Sequence, residues 1–434
     1  MFKKIQDIFS IPELKRRVLF TLGLLVIYRI GGHITTPGVN PIALKAFFSN
    51  QQGTIFALYD LFAGGNLRRA TIFALGIMPY ISASIILQLL QAVVPYFEKL
   101  AKEGEEGRKK ITQYTRYGTV LLSIIQASGI SIFLENLTVG GASVVPHPGL
   151  FFRFMTIVTM TSGTIFVMWL GEQISERGIG NGISLIIMIG IIARYPGYFL
   201  NTWRALKVGT LTPFRLIFLL VIMIFVIASV ILITQGQRRI PVQYAKRIVG
   251  KKVYGGRTNY IPLRVNTAGV IPIIFAQSII MFPSTLAVFF KSDFFMNIKS
   301  IMSPGTLLYQ SLYAIIIIFF TYFYTAIILN PVDLAENMQK YGGFIPGIRP
   351  GRRTSDYIDR ILTRVTLPGA IFLAFIAILP DIMMRRGGLP FYFGGTGLLI
   401  VVGVMLDTLQ QIETHLLMRH YDGFMKKGRL RGRR

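Results

Sequence analysis

The chain has 434 residues, of which 52% are hydrophobic, 15% charged and none cysteine, with a formal net charge of +27. A soluble domain carries about 25% charged residues, and here long apolar runs alternate with short basic ones, so a water-soluble fold would have far too much apolar surface to hide. The lack of cysteine excludes disulfides and thiolate metal sites, and His33, His147, His415 and His420 offer no metal-ligand spacing with a carboxylate on one helix face.

Residues 1–17 carry Lys3, Lys4, Lys15, Arg16 and Arg17 but no short apolar core followed by small residues, so a cleaved signal is not expected and the run from Val18 is retained. A helix needs roughly 20 apolar residues to cross a hydrocarbon core of about 30 Å. By that measure the spans fall near 18–34, 71–94, 115–136, 151–173, 183–201, 213–235, 267–290, 306–330, 364–384 and 396–418. Lys and Arg concentrate at the N-terminus, in the loops after the second, sixth and eighth spans and in the C-terminal tail, which predicts that both termini are cytoplasmic. The expected class is an all-α polytopic membrane protein of ten spans.

Between the first two spans, residues 55–66 (IFALYDLFAGGN) form an apolar stretch too short to cross, which carries Asp60 and ends in Gly64 and Gly65. Physics alone leaves two readings open, a re-entrant half-helix or an amphipathic helix on the outer leaflet. Within the spans, ionisable groups are few. Arg29 and Arg194 lie toward outer ends, where long side chains are expected to snorkel to the interface, and Asp407 is the carboxylate set deepest in an apolar run. Ion-coupled solute transport ordinarily needs several such groups with partners. An enzyme would need a nucleophile–base pair, a carboxylate pair or a metal cluster, and no such set is evident.

The second span places Ile77 and Ile81 four residues apart, near Ser82, Ser84 and Gln88, and the fifth repeats the spacing with Ile183 and Ile187. Isoleucines at helical spacing are ordinarily packing or lipid-facing residues, so periodicity by itself selects no pore. The glycine-rich stretches ERGIGNG (176–182) and YFGGTG (392–397) lack the Lys-Ser/Thr of a phosphate loop and read as tight turns. Ten spans divide five and five around 202–212, which sets two halves in opposite orientation, as in inverted repeats.

The loop after the sixth span carries Arg238, Arg239, Lys246, Arg247, Lys251, Lys252, Arg257 and Arg264, and the loop after the eighth carries Arg349, Arg352 and Arg353 among Pro and Gly. This exceeds what orientation requires and points to docking of an acidic or phosphate-rich partner, with anionic lipid the weaker alternative.

Seven stretches in order are FALGIMPYISASIILQLL (73–90), EEGRKKITQYTRYGT (105–119), MWLGEQISERGIGNGIS (168–184), QGQRRIPVQYAKR (235–247), NTAGVIPIIFAQSI (266–279), FIPGIRPGRRT (344–354) and PFYFGGTGLLIVVGV (390–404). Together they run from residue 73 to 404, fall in both halves of the chain and resemble the bacterial SecY family of protein-conducting channel subunits. The resemblance implies a passive channel in the bacterial cytoplasmic membrane, not an enzyme and without a cofactor, built of two inverted five-helix halves, 1–201 and 202–434, with cytoplasmic loops 236–266 and 331–363.

It implies a hydrophobic pore ring of Ile77, Ile81, Ile183, Ile187, Ile274 and Ile400. It makes 55–66 a plug, with Asp60, Phe62, Gly64 and Gly65, and so favours the re-entrant reading. It places a lateral gate at Ser82, Ile85, Gln88, Gln126, Ser278 and Phe282. It makes Arg238, Arg239, Lys246, Arg247, Lys251, Lys252, Arg349, Arg352 and Arg353 a docking face for the ribosome and the SecA motor ATPase. The partners implied are SecE, SecG, SecA, the ribosome, signal peptides, nascent chains and lipids. Adjacent Arg68 and Arg69, and the polar His33, Thr35 and Thr36, depart from the family pattern beside the plug.

Overall fold

Proline and hydroxyl or amide caps set where many of the helices begin. Proline lies in the first turn after Ile11, Ile77, Val94, Thr212 and Asn330, where its missing N–H costs nothing. The side chains of Asn181, Thr212, Thr306 and Asn330 each accept a bond from a first-turn amide. In the computed structural model these starts open helices along nearly the whole chain. The structure describes residues 11–50, 55–139, 142–244, 247–249, 252–254, 258–289, 306–387 and 395–427.

In chain order the helices are α1 (Pro12–Gly31), α2 (Pro41–Asn50), α3 (Ile55–Phe62), α4 (Met78–Val93), α5 (Pro95–Lys102), α6 (Glu105–Glu135), α7 (Leu150–Arg177), α8 (Gly182–Ile192), α9 (Tyr195–Lys207), α10 (Pro213–Gln235), α11 (Ile271–Phe289), α12 (Leu307–Ile328), α13 (Pro331–Lys340), α14 (Arg352–Gly387) and α15 (Gly395–Lys427). Each of the ten expected spans coincides with helix, and among the described residues seven helices are long and apolar enough to cross a membrane. An eighth is counted if α4 and α5, bent by 97° at Val94, form one span. Two spans differ from expectation in detail. The second begins at Met78, because residues 71–77 form successive turns with Gly76 at φ +58°. The fifth breaks at Ala193 and Arg194, between α8 and α9.

Many threonines inside these helices are satisfied locally. The hydroxyls of Thr115, Thr119, Thr164, Thr234, Thr321 and Thr325 each donate to the carbonyl four residues back, which lets threonine sit in an apolar span without an unmet donor.

The chain divides into two compact units. One comprises Met1–Arg204, Ser278–Pro304 and Val404–Arg434, the other Ala205–Gln277 and Gly305–Gly403. In the first, α6 and α7 pack side by side and are tied by two arginine–glutamate pairs, a bidentate one at Arg116 and one at Arg153 in which both nitrogens share a single carboxylate oxygen. Arg116 holds Glu172 at 3.0 and 2.8 Å, and Arg153 holds Glu135 at 2.8 and 2.7 Å. The ribbon β1 (Thr138–Val139) with β2 (Ala142–Ser143) follows α6.

The second unit contains a part that the basic loops concealed. Strand β3 (Gln237–Tyr244) pairs antiparallel with β6 (Thr258–Arg264), Ile240 opposite Ile261, and also with β7 (Gly343–Phe344) from the loop after the eighth span. The hairpin of β4 (Arg247–Val249) and β5 (Lys252–Tyr254) lies between β3 and β6 in the chain. Ile240, Val242, Leu263, Met338, Ile345, Ile358 and Leu362 form one buried cluster beneath this sheet. Period-two alternation sends Ile240 and Val242 inward and Arg239 outward, while Arg238, of the inward parity, is exposed near the start of the strand.

Candidate functional site

The stretch 55–77 turns back before it can cross. Helix α3 is eight residues long and closes in a Schellman-type cap: the Gly65 N–H donates to Asp60 O at 2.8 Å and the Gly64 N–H to Leu61 O at 3.2 Å. Gly64 and Gly65 hold φ +71° and +83°, which a side chain would strain. The returning backbone pairs with the segment after α1, Thr36 N–H to Ala70 O at 2.8 Å and Ile72 N–H to Ile34 O at 3.0 Å. The departures His33 to Thr36 and Arg68 to Arg69 thus flank the return of this segment.

A buried charge cluster fixes α3. Asp60 is 2% exposed. Its Oδ1 accepts the Arg68 backbone N–H at 3.0 Å, its Oδ2 accepts the Arg194 guanidinium, and Arg68 Nε lies 3.9 Å from Oδ2. Arg29 Nη1 reaches Gly64 O at 3.4 Å. Both arginines therefore depart from the snorkelling expectation. Each turns to the α3 segment, and the Arg194 side chain is only 11% exposed, because a carboxylate and a backbone carbonyl that need donors lie within reach.

Neutral packing completes the seat. Asn66 Nδ2 donates to the Tyr28 hydroxyl at 3.3 Å, and Tyr28 stacks on Phe73, which stacks on Phe166. Gly64 meets Gly190 of α8 backbone to backbone: a Cβ on Gly190 would stand 2.9 Å from Gly64 Cα, and one on Gly64 3.0 Å from Gly190 Cα.

Phe62 is 2% exposed. Ile77, at the N-cap of α4, and Ile81 in its first turn are buried, as is Ile187 of α8. Ile183 is half-buried and leans on α7, where a Cβ on Gly171 would come within 3.2 Å of its Cγ1. Ile274 and Ile400 are buried as well. Along α4, Ser82 and Gln88 are half-buried and Ile85 is buried, with Gln88 Nε2 donating to Ser84 Oγ at 3.0 Å. Gln126 of α6 is buried with its Oε1 unbonded, and Ser278 is buried. The Phe282 side chain lies outside the described residues.

The sheet joins the two basic loops. Arg238 and Arg239 on β3, and Arg349, Arg352 and Arg353 around the Gly347 and Gly351 turns, are all exposed. The Arg349 carbonyl accepts from Thr354 Oγ1 at 2.9 Å, which fixes the turn leading into α14. Arg247 and Lys252 lie on β4 and β5, and their side chains, like Lys246 and Lys251 altogether, lie outside the described residues.

Sequence reasoning missed Tyr28, Asn66, Gly190 and the inward turn of Arg194. The adjacency of Asp60 to Gly64-Gly65 was the available signal.

Helices of this length and apolarity define a multi-pass, all-α membrane protein with a re-entrant segment and a basic extramembrane sheet. The SecY family profile matches residues 71–409. Protein translocase subunits SecY are 48% identical over 428 residues in Escherichia coli strain K12 (98% of this chain, 96% of the relative) and 46% identical over 429 in Aquifex aeolicus (98% and 100%). The Thermotoga maritima subunit is 44% identical over the whole of both chains. The chain belongs to the SecY family.

Three solved structures share the fold, each covering 92% of both chains. They are a protein-conducting channel (20% identity, TM-score 0.64), a SecY protein whose plug domain stabilises the closed state of its translocation channel and maintains a membrane seal (21%, 0.62), and a channel in a canine ribosome–channel complex from the endoplasmic reticulum (20%, 0.58).

Proposed function

We propose that the chain is the pore-forming subunit of a protein-conducting channel in the bacterial cytoplasmic membrane, with both termini cytoplasmic and two inverted halves at 1–201 and 202–434. It passes unfolded secretory chains across the membrane and releases membrane segments sideways into lipid. The observation that carries this reading is a re-entrant segment seated inside a bundle of SecY-family spans, on a chain with few intramembrane charges.

Ile77, Ile81, Ile183, Ile187, Ile274 and Ile400 form the ring. Branched apolar side chains resist wetting when closed, and they fit round a passing chain without hydrogen-bonding it, so almost any sequence is accepted. Residues 55–66 are the plug.

Ser82, Ile85, Gln88, Gln126, Ser278 and Phe282 line the gate. The unbonded Gln126 carbonyl supports this role, because a buried polar atom without a partner costs about 1–3 kcal/mol and leaves the closed packing only modestly favoured. A leucine at a span centre favours insertion by about 0.3–0.6 kcal/mol, so a signal-peptide core of about ten such residues supplies several kcal/mol toward opening.

The exposed arginines of the joined loops form the docking face for the ribosome and the SecA motor, and SecE and SecG complete the complex. In proteoliposomes containing the purified complex, the motor ATPase and ATP are expected to move a secretory precursor into a protease-protected lumen only when its signal sequence is intact. Ion-driven uptake of a small solute, with no protected precursor, would instead establish a secondary transporter.

A further inference from the structure

The hold on α3 has one component that packing does not explain. Asp60 and Arg194 lie 134 residues apart in sequence, one on the re-entrant helix and the other at the break between α8 and α9, and both are withdrawn from water. Aligned on Asp60 Oδ1 is the Arg68 amide, within the same return loop, so Oδ2 is the oxygen that joins this segment to a span. Arg194 Nε has no hydrogen-bond partner. The guanidinium is therefore committed through its terminal nitrogen, without the bidentate fork seen at Arg116.

A buried pair held this way is strong only while water is kept out, since the attraction between unit charges falls as the local dielectric rises. Once the space around α3 wets, both ions are hydrated and the attraction fades. The pair therefore behaves as a catch that holds in the dry state and lets go in the wet one, unlike the Gly64–Gly190 contact, which depends on shape alone.

We infer that the Asp60–Arg194 pair is a charge latch that holds the plug against the fifth span in the resting channel, with Arg194 as the positioning residue. The inference rests on the reading of residues 55–66 as the plug. Loss of Asp60 leaves Arg194 buried without its carboxylate, and loss of Arg194 leaves Asp60 with only the Arg68 amide and the more distant Arg68 guanidinium, 3.9 Å away; either favours the wet, displaced state. Asp60→Asn and Arg194→Gln each raise resting ion leak, by roughly tenfold or more if at least 1.4 kcal/mol of hold is lost. Because both variants remove the same interaction, the double variant leaks no more than the leakier single one. Arg194→Lys, which keeps a cation at the position, restores a low leak.

The test measures ion leak through the assembled, purified complex in proteoliposomes, with Gly190→Leu as a wedge that displaces the plug by bulk. Leak from Gly190→Leu and from both charge variants, non-additive in the double and reduced in Arg194→Lys, is the expected result. Leak from Gly190→Leu with wild-type tightness in Asp60→Asn and Arg194→Gln overturns the latch and leaves the plug standing. Additive leak in the double variant also overturns it, because the two residues then act separately. Tightness in every variant, Gly190→Leu included, overturns the plug reading itself.

Discussion

Valine at position 163 leaves the chain unable to assemble. Gly163 lies on α7 where the turns after α3 cross it, and a Cβ there would overlap the Ile72 carbonyl oxygen and stand 2.8 Å from its carbon. Both are backbone atoms, so no rotamer change relieves the clash; either α7 or the segment 71–77 has to move. That segment positions Phe73 between Tyr28 and Phe166 and delivers Ile77 to the cap of α4. Overpacking typically costs about 1–3 kcal/mol, and a main-chain clash belongs at or above the upper end. The recovery of folded protein after detergent extraction, followed by size exclusion, is expected to fall sharply for Gly163→Val. Recovery and thermal stability equal to wild type would show that α7 does not cross the turns at Gly163.

Aspartate at position 263 unfolds both basic loops together while the spans stay intact. Leu263 is fully buried on β6, in the cluster that holds Ile240 and Val242 from the first loop and Met338, Ile345, Ile358 and Leu362 from the second. An unpaired carboxylate in that cluster costs several kcal/mol, more than a sheet this small is able to absorb. Hydrogen exchange is expected to rise in α13, in β7 and around Ile358 as well as in β3 and β6, with α12 unchanged. Exchange that rises only within β3 and β6 would mean that the loops fold separately.

The spans were legible because ten apolar runs, bounded by charge, glycine and proline, each need a membrane-length helix. The sheet was not, because β3 and β6 carry Arg238, Arg239 and Arg264, and a basic loop is already accounted for by orientation. The alternation of Ile240 with Val242, and of Ile261 with Leu263, was the signal, but each run is short and interrupted by proline.

The break of the fifth span follows from Pro196, which has no N–H and crowds the Ile192 carbonyl where α8 ends, and the late start of the second from the positive φ of Gly76; the proline was visible in the sequence, while a positive φ leaves no periodic trace. Arg29 and Arg194 read as snorkelling residues because sequence gives the depth of a side chain but not the carboxylate or carbonyl opposite it. The Asp60 partnership spans 134 residues and became visible only in the fold. Gly190, one more glycine in an isoleucine-rich helix, gained its meaning from Gly64.

The central claim, that polypeptide passes through this chain along the isoleucine ring, is tested most directly by a single crosslink. The chain has no cysteine, so Ile400→Cys introduces one reactive thiol against a silent background. A secretory precursor with one cysteine, stalled midway through the assembled complex, is expected to form a disulfide with position 400 only when its signal sequence is functional. Cysteines at Phe225 on α10 and Ile315 on α12, both exposed, are expected to stay unlinked. No link at 400, with links at 225 or 315 instead, would contradict the ring and route the translocating chain elsewhere.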